Sequence, residues 1–269
     1  MGETRLLGTP AGTIAYDDTG GAGQLVVCVP GMGDVRGVYR YLVPALTAAG
    51  HRVVTMDVRG HGESSIGWDD YSAAAVGGDV VALLRHLDTG PAHVVGGSMA
   101  AASAVWAAAE APELVAGIVL LGPFVRDVPQ RGVKRLLAPL AMRLVAMRPG
   151  LWARYYRSLY PTSPPADLDA YIDALTANLA EPGRLAALRG MLAASKASAE
   201  ARIGEVKAPV LVVMGSADPD FEDPLAEAEL VAARLGAKVV MVAGAGHYPQ
   251  AERPEVTGPA IVEFTGAHG

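Results

Sequence analysis

Residues 92–110 read Ala92-His-Val-Val-Gly-Gly-Ser98-Met-Ala100-Ala-Ala-Ser-Ala-Val-Trp-Ala-Ala-Ala-Glu110. A short β-branched run ends in two glycines and a serine, and an Ala-rich helical stretch begins at once. This is the pattern of a strand, a sharp turn and a helix with Ser98 at the apex. Such a turn strains its central residue, so small neighbours must flank it. It aims the hydroxyl at the crevice beyond the strand ends, where open α/β sheets bind ligands. Taken alone the motif is weak, because Ala100 stands where a final glycine is usual and Gly and Ala are abundant throughout. The context on either side has to carry it.

Outward from this elbow, apolar strand-like runs alternate with helical ones. Gln24–Pro30, Arg52–Asp57, Ala92–Gly96, Gly117–Leu121, Pro209–Gly215 and Lys238–Val242 read as strands, and Ile14–Asp17 as one arm of an N-terminal hairpin. Near-continuous apolar runs suit parallel strands covered on both faces. Helices are predicted at Tyr39–Ala49, Ala73–Leu87, Met99–Glu110, Leu225–Leu235 and Pro254–Phe264, the last opening on a helix-starting proline. The alternation predicts a mostly parallel α/β sheet flanked by helices. It breaks between Arg126 and Arg202. There the chain reads as helices divided by Pro149-Gly150, Pro161, Pro164-Pro165 and Pro182-Gly183, with Val133, Leu136, Leu137, Leu140 and Leu144 on one amphipathic face. The domain reading is a core of residues 1–125 and 203–269 and a helical lid, 126–202, inserted between two strands.

A serine hydroxyl is a poor nucleophile until a base takes its proton. Of six histidines, His247 in Gly244-Ala-Gly-His-Tyr-Pro249 follows the last strand on a Gly-rich loop able to carry an imidazole over the elbow. His86 and His93 read as structural or solvated, and His61 lies in the turn Asp57-Val-Arg-Gly-His-Gly-Glu-Ser64. The base needs an orienting carboxylate. Gly215-Ser-Ala-Asp218-Pro-Asp220-Phe-Glu-Asp223 offers Asp218 first and Asp220 in reserve, while Asp223 suits the cap of the following helix. The order Ser98, Asp218, His247, each just past a strand, is far harder to obtain by chance than any one element.

With these motifs in place the chain resembles the α/β-hydrolase superfamily, the small lid-bearing serine hydrolases. The elbow, the Asp57–Ser64 turn, the Gly215-x-x-Asp218 loop and Gly244-x-Gly-His247 match in order, along nearly the whole chain outside the insert. The resemblance implies Ser98 as nucleophile, Asp218 as acid and His247 as base. It implies an oxyanion hole from the main-chain N–H groups of Met99 and of Met32, the latter in Pro30-Gly31-Met32-Gly33. It also implies that the Asp57–Ser64 turn is architectural, so that His61 is not catalytic. Pro30 and Gly97 stand where relatives often carry histidine; neither change removes a donating amide. A serine at position 98 argues against the branches that use an aspartate nucleophile.

Composition narrows the function further. Half-apolar content (51%) over 269 residues excludes a disordered chain, and a net charge of −6 argues against nucleic-acid binding. A single cysteine, Cys28, excludes a disulfide framework and a thiolate metal site. With no His-Glu-x-x-His, P-loop or dinucleotide fingerprint, no metal and no cofactor are expected. The opening MGETRLLGTPAG carries no apolar leader and no run reaches a membrane span, so a cytoplasmic protein is expected. Arg outnumbers Lys amid abundant Ala, as in GC-rich bacterial coding. Residues 126–160 hold eight basic residues against one acid, read as a solvated helix face in preference to an anion site. Trp152 and Tyr155, among the four aromatics of 151–160, are candidates for a substrate pocket. The expected activity is hydrolysis of a small, fairly apolar carboxylic ester or activated acyl compound through an acyl-enzyme. A C–C bond hydrolase, a thioesterase or a cofactor-free perhydrolase or haloperoxidase would share the residues. A low-turnover binding protein would not need all three.

Overall fold

The computed structural model describes residues 4–127 and 141–268. Eight strands form one sheet: β1 (Arg5–Thr9), β2 (Gly12–Asp18), β3 (Leu25–Val29), β4 (Arg52–Met56), β5 (Ala92–Gly97), β6 (Val115–Leu121), β7 (Val210–Gly215) and β8 (Lys238–Val242). Their order is β1-β2-β4-β3-β5-β6-β7-β8, antiparallel at β1/β2 and β2/β4 and parallel elsewhere. Every residue of β3 and β7 is buried, as their unbroken apolar runs require of strands covered on both sides.

Between the strands lie α1 (Leu42–Ala48), α2 (Ala73–Leu87) and α3 (Ala100–Glu110). Among the described residues the longer helices α4 (Pro149–Ser158), α5 (Leu168–Ala180) and α6 (Arg184–Ala193) fall between β6 and β7 with a single turn at Ala197–Glu200, and α7 (Pro224–Leu235), a turn at Pro249–Glu252 and α8 (Pro254–Ala267) follow. Local chemistry sets their ends. Ser72 caps α2 by accepting from Ala75 N–H, and Asp223 caps α7 by accepting from Ala226 N–H, as its position before the helix predicts. The α1 segment starts later than the expected Tyr39, because Arg36–Tyr39 winds as a 3₁₀ turn.

Two apolar layers sandwich the sheet. On one face α2, α3 and α7 cover Val27, Val94 and Ile118. On the other, α1 and α8 share a core with the inserted helices: Leu168, Ile172, Leu175 and Leu179 of α5 and Trp152 and Tyr156 of α4 join Val26, Leu121 and Leu211. Each fully buried leucine or isoleucine there contributes about 2 kcal/mol by leaving water. The insert is therefore welded to the core through its own apolar faces. The expected amphipathic row from Val133 to Leu140, with Arg131, Lys134 and Arg135, lies outside the described residues; Leu144 at its end is exposed. No described helix is long and apolar enough to cross a membrane.

The strand order fixes where a ligand can go. From β3 the chain moves outward to β4, then returns to the other flank as β5, so the crevice opens where β3 and β5 lie side by side. Register pairs Val29 with Gly96, setting the loop after β3 beside the loop after β5. Ligands of open α/β sheets sit at such switch points.

Candidate active site

Ser98 occupies the switch point with φ +53°, one of two described non-glycine residues in the left-handed region. Surroundings hold it there. Its N–H donates to Leu121 C=O (2.8 Å), and its own carbonyl accepts from Phe124 and Ala101 N–H (both 3.1 Å). The turn is so tight that a Cβ on Gly96 would lie 2.5 Å from the Ala100 carbonyl oxygen, which is why only glycine serves at that place. Backbone strain of this kind on a half-buried polar residue is a pointer to function.

Asp218 leaves the end of β7 and His247 the loop after β8. The imidazole Nδ1 lies 2.7 Å from Asp218 Oδ2, with both side chains buried. The other carboxylate oxygen of Asp218 accepts from Asp220 N–H at 3.0 Å. His247 N–H donates to Leu159 C=O (3.0 Å), so the inserted segment helps fix the loop. Asp220, the reserve carboxylate, has its Oδ2 3.9 Å from the same Nδ1 and accepts from the Tyr155 hydroxyl (2.8 and 2.9 Å). Burial lowers the proton affinity of His247, but the carboxylates of Asp218 and Asp220 outweigh it and hold the pKa up to about 9. Nδ1 donates to Asp218, so the other nitrogen is the one available to act as a base. The Ser98 hydroxyl and this imidazole form no hydrogen bond in the structure.

A cavity of about 530 Å³ opens onto Ser98, with walls that include Met32, Met99, Phe124, Tyr155 and Phe221. The main-chain N–H groups of Met32 and Met99 have no hydrogen-bond partner among the described residues. Main-chain donors of this kind can stabilise a negative charge developing beside a serine. A smaller cleft of about 420 Å³, lined by Asp18, Arg36 and Arg40, contains none of these groups.

Trp152 corrects an expectation. It does not line the cavity: it is buried, and its indole N–H donates to Gly33 C=O at 3.0 Å. Three residues later, Tyr155 does line it; on one helix turn the two aromatics diverge between core and cavity. Arg126, counted with the basic run, points back to the core and pairs with Glu227. The Asp57–Ser64 turn is a scaffold. Asp57 accepts from Arg36 N–H (2.7 Å) and Glu63 N–H (2.9 Å), and Ser64 Oγ donates to Asp57 C=O (2.8 Å). His61 is buried and does not line the Ser98 cavity, and burial pushes its pKa down to about 4. Cys28 is buried in β3, and burial raises its thiol pKa. Sequence reasoning missed Phe124 and Phe221, which stack on each other at 4.6 Å and flank the His247 ring, tilted to it at 6.0 and 6.5 Å. The signal was present: two of only three phenylalanines stand a few residues beyond strand ends. Lys196, also on the cavity wall, carried no signal.

Residues 24–254 match the model of the α/β-hydrolase fold family. A 2-(acetamidomethylene)succinate hydrolase of Mesorhizobium japonicum is 30% identical over 261 residues, 92% of this chain and 90% of that one. A bromoperoxidase from Bacillus anthracis superposes with TM-score 0.83 at 20% identity, over 97% of this chain and 99% of its own. A thermophilic esterase from Thermogutta terrifontis, solved with malate bound, gives TM-score 0.76 at 25% identity over 99% and 100%. With the strand order, the Ser98 elbow and the Asp218–His247 pair, these likenesses have one common meaning: this chain belongs to the α/β-hydrolase family of enzymes.

Proposed function

We propose that the protein is a serine hydrolase that cleaves a small, fairly apolar carboxylic ester or activated acyl compound through an acyl-enzyme on Ser98. The observation that carries this is the buried Asp218–His247 pair at 2.7 Å, in a molecule whose strained elbow opens Ser98 into a largely apolar cavity. In this reading His247 takes the Ser98 proton as the hydroxyl oxygen attacks the acyl carbon. Asp218 holds the ring and stabilises the imidazolium. The carbonyl oxygen gains negative charge and accepts from Met32 and Met99 N–H. The carbonyl then re-forms, the leaving group departs with the proton from His247, and water repeats the sequence to release the acid. The Ser98–His247 hydrogen bond closes on substrate binding, as contacts of this kind often do.

The insert, residues 126–202, serves as the lid over the core formed by 1–125 and 203–269. Tyr155 contributes to its cavity wall, and excluding water there strengthens each charge interaction below. The test is turnover of short and medium p-nitrophenyl esters, with thioester counterparts, by the wild-type protein and Ser98→Ala. An organophosphonate should label Ser98 and chelators should leave turnover unchanged. Label on another residue, or loss of turnover with EDTA, refutes the reading.

A further inference from the structure

The loop that carries Met32 gets its shape from side chains far away in sequence. Strand β3 ends at Val29, so sheet hydrogen bonds stop before Met32 is reached. One residue beyond Met32, Gly33 turns with φ +67°, and a Cβ there would lie 2.3 Å from the Trp152 ring. Its N–H donates to His61 Nε2 at 3.2 Å. Its carbonyl accepts from Trp152 Nε1–H at 3.0 Å. His61 Nδ1 lies 3.1 Å from Arg59 C=O and so holds the ring proton, which leaves Nε2 as the acceptor that Gly33 needs. The next residue, Asp34, is buried; its carboxylate accepts from Val35 N–H (2.8 Å), from the Tyr156 hydroxyl (2.9 Å) and from the Tyr171 hydroxyl.

We infer that His61 and Trp152 are positioning residues which clamp the two peptide groups of Gly33 and so hold the Met32 amide in place to receive the oxyanion. The inference rests on the ester-hydrolase reading above. The physics is direct. Gly33 is buried, and a buried N–H without an acceptor is costly, so without His61 the loop would turn to satisfy it. A left-handed glycine is also the softest link in such a loop. Oxyanion stabilisation depends on donors held near 3 Å, and small displacements there cost large factors in rate. One half of the clamp comes from the Asp57–Ser64 turn and the other from α4, so the insert is part of the apparatus that shapes the anion site as well as its cover.

The experiment compares Trp152→Phe, which keeps the ring and loses the donor, with His61→Leu and His61→Gln, the last retaining an acceptor oxygen. Each is assayed for kcat and KM on one p-nitrophenyl ester, for affinity to an alkylboronic acid whose tetrahedral adduct reads the anion site, and for Tm. Exchange of the Met32 and Gly33 amide protons is followed by NMR. Trp152→Phe and His61→Leu should lower kcat and boronate affinity together, by about tenfold, with KM within about twofold. Both amides should exchange faster, and His61→Gln should recover most of the loss. Unchanged kcat and boronate affinity in both variants overturns the clamp. So does a loss in which kcat, KM and Tm fall together without rescue by glutamine, because that pattern is stability alone. A wild-type protein that hydrolyses no ester and takes no phosphonate sinks the hydrolase reading, and with it the reaction the clamp serves; labelled wild type with unaffected variants sinks the clamp only.

Discussion

Asp220→Asn isolates the second carboxylate beside the histidine. In the folded protein Asp218 and Asp220 both face His247 Nδ1, at 2.7 and 3.9 Å, and burial opposes them. The balance leaves the imidazole pKa raised, so the base is mostly protonated at neutral pH and turnover must rise with pH through that value. A unit charge 3.9 Å away stabilises the imidazolium by about 1 kcal/mol at the dielectric constant of water and about 4 kcal/mol at an effective value of roughly 20. At about 1.4 kcal/mol per pK unit, removing it lowers the pKa by about 1 to 3 units. Asparagine keeps an acceptor for the Tyr155 hydroxyl, so the loop is spared. The assay is kcat/KM for an ester across pH. Its acid limb should move to lower pH by at least about one unit, with the plateau retained within a few-fold. Asp218→Asn should differ in kind, because the ring loses its orienting acceptor and the plateau falls by about 10⁴. An Asp220→Asn limb that stays put or moves to higher pH refutes the electrostatic argument. A plateau collapse as deep as that of Asp218→Asn would make Asp220 the orienting acid.

Tyr155→Ala should shift acyl chain-length selectivity with little change in Tm, whereas Trp152→Ala should cost about 3–5 kcal/mol of stability; paired selectivity and melting measurements separate them, and a reversed pattern would put the wrong ring on the cavity wall. Arg126→Met should destabilise by about 3 kcal/mol, because Glu227 is left buried without its cation. Adding Glu227→Gln should recover most of that loss in denaturant titration, and no recovery would mean that the pair acts through packing.

What the sequence made legible was local. The Ser98 elbow is written in consecutive residues, since a strand, two glycines and an Ala-rich helix are each recognisable from their neighbours alone. Asp218 and His247 are likewise announced by the strands they follow. The Trp152 and Tyr155 rings were not separable in this way. Three residues apart on α4, they diverge because one meets Gly33 and the other Asp220, partners 119 and 65 positions away. Edge strand β1, the other arm of the expected hairpin, could not be given a range for a related reason: only Leu7 of its five residues is buried, so it has almost no apolar pattern to read. Arg126 reads in sequence as part of a solvated basic run because its partner, Glu227, stands 101 positions away.

The buried polar contacts around Met32 show why the rest stayed hidden. Asp34 joins hydroxyls from α4 and α5 that stand 122 and 137 residues away. His61 reaches Gly33 across 28 residues. No local pattern encodes an acceptor whose donor lies on another element, because the buried site of each depends on how layers pack. Yet burial makes such pairings obligatory, since an unmade hydrogen bond there costs more than a made one contributes. The apolar faces of α4 and α5 dock the insert on the sheet, and docking creates the low-dielectric setting in which Asp34, Tyr156 and Tyr171 must find one another. The same packing that stabilises the insert thereby determines the conformation of the loop on which, in our reading, the reaction depends. Substitutions deep in the insert should for that reason alter rate through the Met32 loop as well as through the cavity wall.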